Sequence, residues 1–198
     1  MKNAPVIATV LLSLAALPLS ADETLFGSPH ESGGFGALVV KAASFGNGAD
    51  MMTGARAGWI VNHSLILGGG FYMLTSTSPA PAEAGRHYPG RELKLTAYYW
   101  GAELEYVFRP QSLFHFSASS FFGTGGFGYI DQYDNDFHIT DGVYVLEPAV
   151  HGTLNVSARF RVSAGVSYRL IADTSLVGLD SADMSGLSGT ITLRFGKF

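Results

Sequence analysis

From Arg159 to Leu170 the chain runs RFRVSAGVSYRL. Every second residue from Phe160 is apolar or aromatic: Phe160, Val162, Ala164, Val166, Tyr168 and Leu170. Between them stand Arg161, Ser163, Gly165, Ser167 and Arg169. A period of two is that of a β-strand with unlike faces. The same alternation recurs along most of the chain and predicts eight strands. Besides this stretch they lie at 33–44, 51–61, 65–75, 93–108, 113–129, 143–154 and 189–198.

In 51–61, Trp59 shares a face with Ala55 and Ala57, opposite Arg56. In 93–108, Tyr98, Trp100, Leu104, Tyr106 and Phe108 oppose Glu103 and Glu105. In 113–129, Phe114 and Phe116 oppose His115 and Ser117, while the phase of the later FFGTGGFG is ambiguous and leaves room for a bulge. In 143–154, Leu146, Val150 and Leu154 oppose Glu147 and His151, with Pro148 set against a regular central strand. In 189–198, Ile191, Leu193 and Phe195 oppose Thr190, Thr192 and Arg194. The glycine triplet 68–70 hides the phase of its segment. It is no phosphate loop, because no helix follows it. No stretch after residue 32 carries a helical period, so helix is expected to be close to absent there.

The connections alternate. Residues 62–64, 109–112 and 155–158 form tight turns. Residues 76–92, 131–142 and 173–188 form long ones, and FGNGAD at 45–50 is moderate. Strands joined this way form an antiparallel meander of hairpins, with the tight turns at one end and the longer loops at the other. An even strand number brings both termini to the tight-turn end.

Composition decides which face meets what. Aromatic residues make up 13% of the chain and charged residues only 14%, against a usual charged share of about 25%. A surface so poor in charge is not wholly in water. Residues 1–21 carry Lys2, an apolar run and a small-residue pattern ending at Ala21, the order of a secretory signal peptide. Residues 22–32 are then expected as a periplasmic segment and 33–198 as a single barrel domain. There are no cysteines, so no disulfide supports a chain bound for export. A net charge of −4 gives no basic surface for nucleic acid.

Two closed meanders share this pattern: a soluble lipocalin-like carrier with its apolar face inward, and a membrane barrel with its apolar face outward. The polar face sets Gly and Ser between charges of both signs, which suits a narrow lumen filled by ion pairs. Every segment reaches the roughly 9–11 residues a tilted strand needs to cross a bilayer. The membrane reading is therefore preferred. It assigns Arg56, Glu103, Glu105, His115, Glu147, His151, Arg161, Arg169 and Arg194 to a lumen network. It assigns Trp59, Tyr98, Trp100, Tyr106, Phe108, Phe114, Phe116, Phe160, Val162, Val166 and Tyr168 to the lipid face.

With this pattern, its loop asymmetry and the ending ITLRFGKF, the chain resembles the small eight-stranded outer-membrane barrels of Gram-negative bacteria, the OmpA-transmembrane and OmpX type. The resemblance implies a monomer in the outer membrane, with periplasmic termini, contact with outer-membrane lipids and lipopolysaccharide, and insertion by the barrel-assembly machinery. It implies a structural or surface-interaction role without a cofactor. Phe198 is out of step with Phe195 by one residue, which predicts either a bulge at Gly196 and Lys197 or a non-standard assembly signal.

Two constellations bear on chemistry. His115 and Ser117 match two residues of the His-x-Ser pair of lipid A deacylases, but Ala118 stands where that family has Asn. The pair also follows a tight turn, at the end remote from lipid A. Asp131, Asp134, Asp136 and Asp141 supply carboxylates enough for calcium without the spacing of a calcium loop. Arg86 and Arg91 stand in a long loop within reach of lipopolysaccharide phosphates. The alternatives to a structural role are a lipid A-modifying hydrolase, a small-solute pore and the soluble carrier.

Overall fold

The computed structural model describes residues 32–45, 48–134, 138–174 and 176–198. The signal peptide and residues 22–31 lie outside the described residues, as does Asp136. The strands are β1 (Ser32–Phe45), β2 (Gly48–Val61), β3 (Leu65–Leu74), β4 (Leu93–Phe108), β5 (Phe114–Asp131), β6 (His138–Ser157), β7 (Phe160–Ala172) and β8 (Gly186–Lys197). Each pairs antiparallel with its sequence neighbour, and β1 closes on β8 from Gly34 opposite Lys197 to Ala43 opposite Ser188. The result is a closed eight-stranded barrel, which leaves no exposed sheet edge.

Side chains alternate between inside and outside along every strand. In β7, Ser163, Ser167 and Arg169 are buried while Ala164, Val166 and Tyr168 are exposed. From Arg161 to Arg169 the polar set of β7 lines the lumen and the apolar set forms the exterior. The arginines of the 159–170 stretch that lie within the strand thus point inward, and a greasy central cavity ringed by outer charge is excluded.

Several elements differ from the sequence expectation. The strands run further toward the loop end, with β2 starting at Gly48 and β6 at His138. The 45–50 connection is therefore mostly hairpin strand. The β5 register continues unbroken through FFGTGGFG on both sides, so there is no bulge there. Pro148 does sit inside β6, opposite Ser120 of β5. Pairing to β7 lapses at Glu147 and Pro148, between Leu146 and Ala149, and resumes in the same register. The missing N–H costs the ladder one local interruption rather than the strand.

Two short helices stand in the long loops: α1 (Ala82–His87) and α2 (Ser181–Met184). Neither has a turn count that a periodicity reading detects. In α2 the Asp180 carboxylate accepts from the backbone N–H groups of Ala182 and Asp183 at 2.8 and 2.9 Å, and Asp183 reciprocates to the Asp180 N–H. That is a capping box built from two aspartates. The tight 61–64 turn holds Asn62 and His63 at φ of 52° and 59°, and Ser64 N–H donates to the Val61 carbonyl. Two central residues at positive φ make the hairpin turn that matches strand twist.

No bulge accommodates Phe198. Gly196 and Lys197 keep the β1 register opposite Phe35 and Gly34. Phe198 simply has lumen parity, and its ring stacks on Phe35 at 6.1 Å between centroids.

Candidate functional site

The lumen is layered. At mid-height, Glu105 of β4 is fully buried and lies between two arginines. Arg56 Nη2 of β2 is 2.7 Å from one of its oxygens, and Arg194 Nη2 of β8 is 3.0 Å from the other. Arg56 also contacts Glu103 at 2.9 Å, and the Ser117 hydroxyl donates to Glu105 at 2.6 Å. Next toward the loop end, Glu147 of β6 accepts from Lys41 of β1 at 2.9 Å, from the Tyr99 hydroxyl at 2.8 Å and from Ser167 at 2.5 Å. The Lys41 ammonium stands 3.8 Å from the centre of the Tyr72 ring. Small neighbours make the room. A side chain at Gly54 would strike the Tyr72 ring, and one at Gly165 would strike the His151 imidazole.

Four of the nine residues assigned to the lumen network thus meet in one ionic cluster: Arg56, Glu103, Glu105 and Arg194. Glu147 belongs to a second cluster, with a lysine that the sequence reading missed. His151 Nε2 pairs with the Ser119 hydroxyl at 3.2 Å. His115 is buried with Nδ1 3.2 Å from the Ser112 carbonyl, turned toward the turn rather than toward Glu103 or Glu105. With His115 on Ser112 and Ser117 on Glu105, the histidine and serine do not form a base–nucleophile pair.

Arg169 and Arg161 lie apart from both clusters. Arg169 is wholly buried at the loop end, where it donates to the Met184 carbonyl at 3.0 Å and the Ser44 carbonyl at 2.8 Å, with its guanidinium 4.0 Å from the Phe45 ring. It ties α2 to the rim of β1. Arg161 is half-buried at the tight-turn end, 4.0 Å from the Phe198 ring.

Apolar layers enclose the charged middle. At the tight-turn end Phe35, Ile60, Ile66 and Val107 pack together with Phe198. At the loop end a larger cluster joins Tyr72, Tyr99, Phe121, Phe127 and Tyr129 to Ala84 of α1 and Met184 of α2. The loops themselves are folded over it. Tyr129 donates to the Val177 carbonyl at 2.8 Å, and Ser76 and Ser78 both donate to the Asp50 carboxylate. Arg91 bridges Asp131 at 3.3 Å and Asp134 at 2.9 Å. Those hydrogen bonds, the one to Asp134 first, raise the Arg91 pKa above the ordinary arginine value. Two of the four carboxylates considered for calcium, Asp131 and Asp134, are therefore engaged by a guanidinium. Among the described residues no group of three or more His, Asp or Glu side chains is placed to hold a metal ion.

On the exterior, Trp59, Tyr98, Trp100, Tyr106, Phe108, Phe114, Phe116, Val166 and Tyr168 are all exposed. Phe160 and Val162 face the same way but are half-buried, Phe160 because its ring stacks on Phe195 at 4.6 Å. In β4 the apolar band from Tyr98 to Phe108 covers roughly 25 Å at a rise of about 3.3 Å per residue and a tilt of about 40°.

A scan against protein-family models finds no match, and a search of curated proteins finds none. Solved structures do match. Neisserial surface protein A (NspA) superposes with a TM-score of 0.58 at 16% identity, covering 84% of this chain and 97% of that one. The N-terminal β-barrel domain of Pseudomonas aeruginosa OprF superposes with a TM-score of 0.55 at 10% identity, covering 84% of this chain and 98% of that domain. Strand count, closure and these superpositions agree: the fold of this chain is a closed eight-stranded antiparallel barrel, similar to that of NspA and of the OprF barrel domain.

Proposed function

We propose that this chain is a monomeric outer-membrane barrel with a sealed lumen, acting as a structural or surface-interaction protein through its folded loop end. Residues 1–21 direct export and are removed, 22–32 lie in the periplasm, and the barrel-assembly machinery inserts 33–198. The tight turns and the C-terminus then face the periplasm, and α1 and α2 face outward among lipopolysaccharide headgroups. The exposed aromatic band meets outer-membrane lipid.

The observation that carries this reading is the inversion of polarity: ionic clusters within, an aromatic band of bilayer thickness without. Backbone groups in hydrocarbon must all be paired, and a closed barrel is the sheet that achieves this. The role of the loop end is supported by its order. It presents a cleft of about 400 Å³ between Phe45, Asp50, Pro79, Pro81, Leu179 and Met184. A barrel of eight strands has an interior just wide enough for its side chains, and two apolar layers bracket the charges, so passage of ions is not expected.

Planar-bilayer recording tests the sealed lumen. The native protein is expected to insert without stepwise conductance. Steady unitary currents that change when Glu103 is replaced by Gln would turn the reading toward a small pore.

A further inference from the structure

The two ends of the barrel differ in charge. Around the tight turns stand Arg109, Arg159, Arg161 and Lys197, with His63 beside them. Among the described residues no Asp or Glu occurs in 60–66, 106–116, 152–163 or 192–198; Glu105 lies within the lumen, and Glu31, which precedes β1, lies outside the described residues. Glu105 is already shared by Arg56 and Arg194. The opposite end carries Asp50, Asp131, Asp134, Asp173, Asp180 and Asp183 among others.

Within the cationic end lies a pocket of about 350 Å³, lined by His63, Pro110, Gln111, Asn155, Arg161 and Phe198 together with Ser157 and Ala158. Its walls are set by the turns. The Asn155 amide donates to the carbonyls of Ser112 at 2.8 Å and Pro110 at 3.3 Å, which fixes the 109–113 turn against β6. Arg161 is held over the Phe198 ring, and its guanidinium has no carboxylate within ion-pair distance among the described residues. Arg194, on the strand beside it, adds to the positive potential. A planar guanidinium braced by an aromatic ring and left without an acid is the arrangement that grips an oxyanion by two parallel hydrogen bonds.

We propose that this pocket binds an oxyanion, a carboxylate, with Arg161 as its contact. The lumen parity of Arg161 favours a ligand approaching the mouth of the barrel over a lipid headgroup at its rim, where Lys197, Arg109 and Arg159 stand. The same chemistry would accept a free phosphate. The site stands on the pocket alone and holds whichever compartment this end faces.

The test is NMR titration of the full mature chain in zwitterionic nanodiscs. The probes are N-acetyl-alanyl-alanine, its C-terminal amide, and inorganic phosphate. The acid is expected to shift resonances around Arg161 and Gly196 saturably, more weakly as salt rises, and the amide to do nothing. Phosphate shifting the same resonances without the peptide acid would keep the site and assign it to a free phosphate. Arg161→Gln is expected to weaken binding by about tenfold or more, since a charge-assisted hydrogen bond is worth about 1.5–3 kcal/mol. Arg161→Lys, which keeps the charge without the fork, is expected to fall between, and Arg86→Gln at the other end to change nothing. Absence of saturable shifts with both anions overturns the proposal, as does equal binding by acid and amide, or undiminished binding by a folded Arg161→Gln protein.

Discussion

Glu105 is the residue on which the middle of the barrel turns. It has no solvent exposure and compensates two guanidinium groups at once. Breaking a buried pair by removing one partner costs about 3–5 kcal/mol, because the charge left behind keeps its desolvation penalty. Glu105→Ala is therefore expected to lower the urea midpoint of the micelle-bound protein by an amount of that order, with Arg194 the group left stranded. A midpoint equal to the native one would mean that the cluster is not what holds the lumen together. Replacement of Glu83, which meets Arg86 at 3.7 Å in the open, is expected to leave the midpoint in place, since exposed pairs contribute little. The residue that escaped the sequence reading was Lys41. In β1 both faces are apolar or small, with Phe35, Val39 and Ala43 inside and Leu38 and Val40 outside. A lone lysine in such a run has no phase to announce which side it takes. Arg161 and Arg169 have the parity the alternation assigned, but parity fixes a direction and not a partner. Which carboxylate each arginine finds depends on height in the barrel, set by strand stagger that the sequence does not display.

At the level of elements, the loops prove to be part of the fold. α1 and α2 bury Ala84 and Met184 completely on the aromatic cluster at the barrel mouth, and Arg169 fastens α2 from below. Substituting a short Gly-Ser connection for 76–92 is expected to leave a barrel that still shows heat-dependent gel mobility. Its melting temperature should fall by about 2–8 °C, from about 1–2 kcal/mol of lost apolar burial. A melting temperature unchanged from the native protein would show that the loop rests on the mouth without contributing. The alternation revealed the strands best where the lumen is polar, in 98–108 and 159–170. It faded toward the loop end because the lumen itself turns apolar there. Leu93, Leu95, Ala97 and Tyr99 line it in β4, and Phe127 and Tyr129 in β5. There the faces exchange polarity, with Lys94 and Thr96 outside β4, and the first residues of β6, His138 to Gly142, are mostly polar or small and read as loop.

For the whole molecule, length matches setting. The tilted strands outrun the hydrocarbon layer: β5 and β6, at 18 and 20 residues, exceed the roughly 9–11 that span it. The surplus rises at the loop end and carries the cap. The aromatic band covers the remainder, and the central claim is that this band lies in lipid. The chain has two tryptophans, Trp59 and Trp100, and both face outward, 52% and 57% exposed. Fluorescence quenching in bilayers of lipids brominated along their acyl chains therefore probes that face directly. The account predicts strong quenching of tryptophan emission by the brominated chains and little by aqueous iodide. Emission quenched by iodide and indifferent to brominated lipid would put the band in water and contradict it.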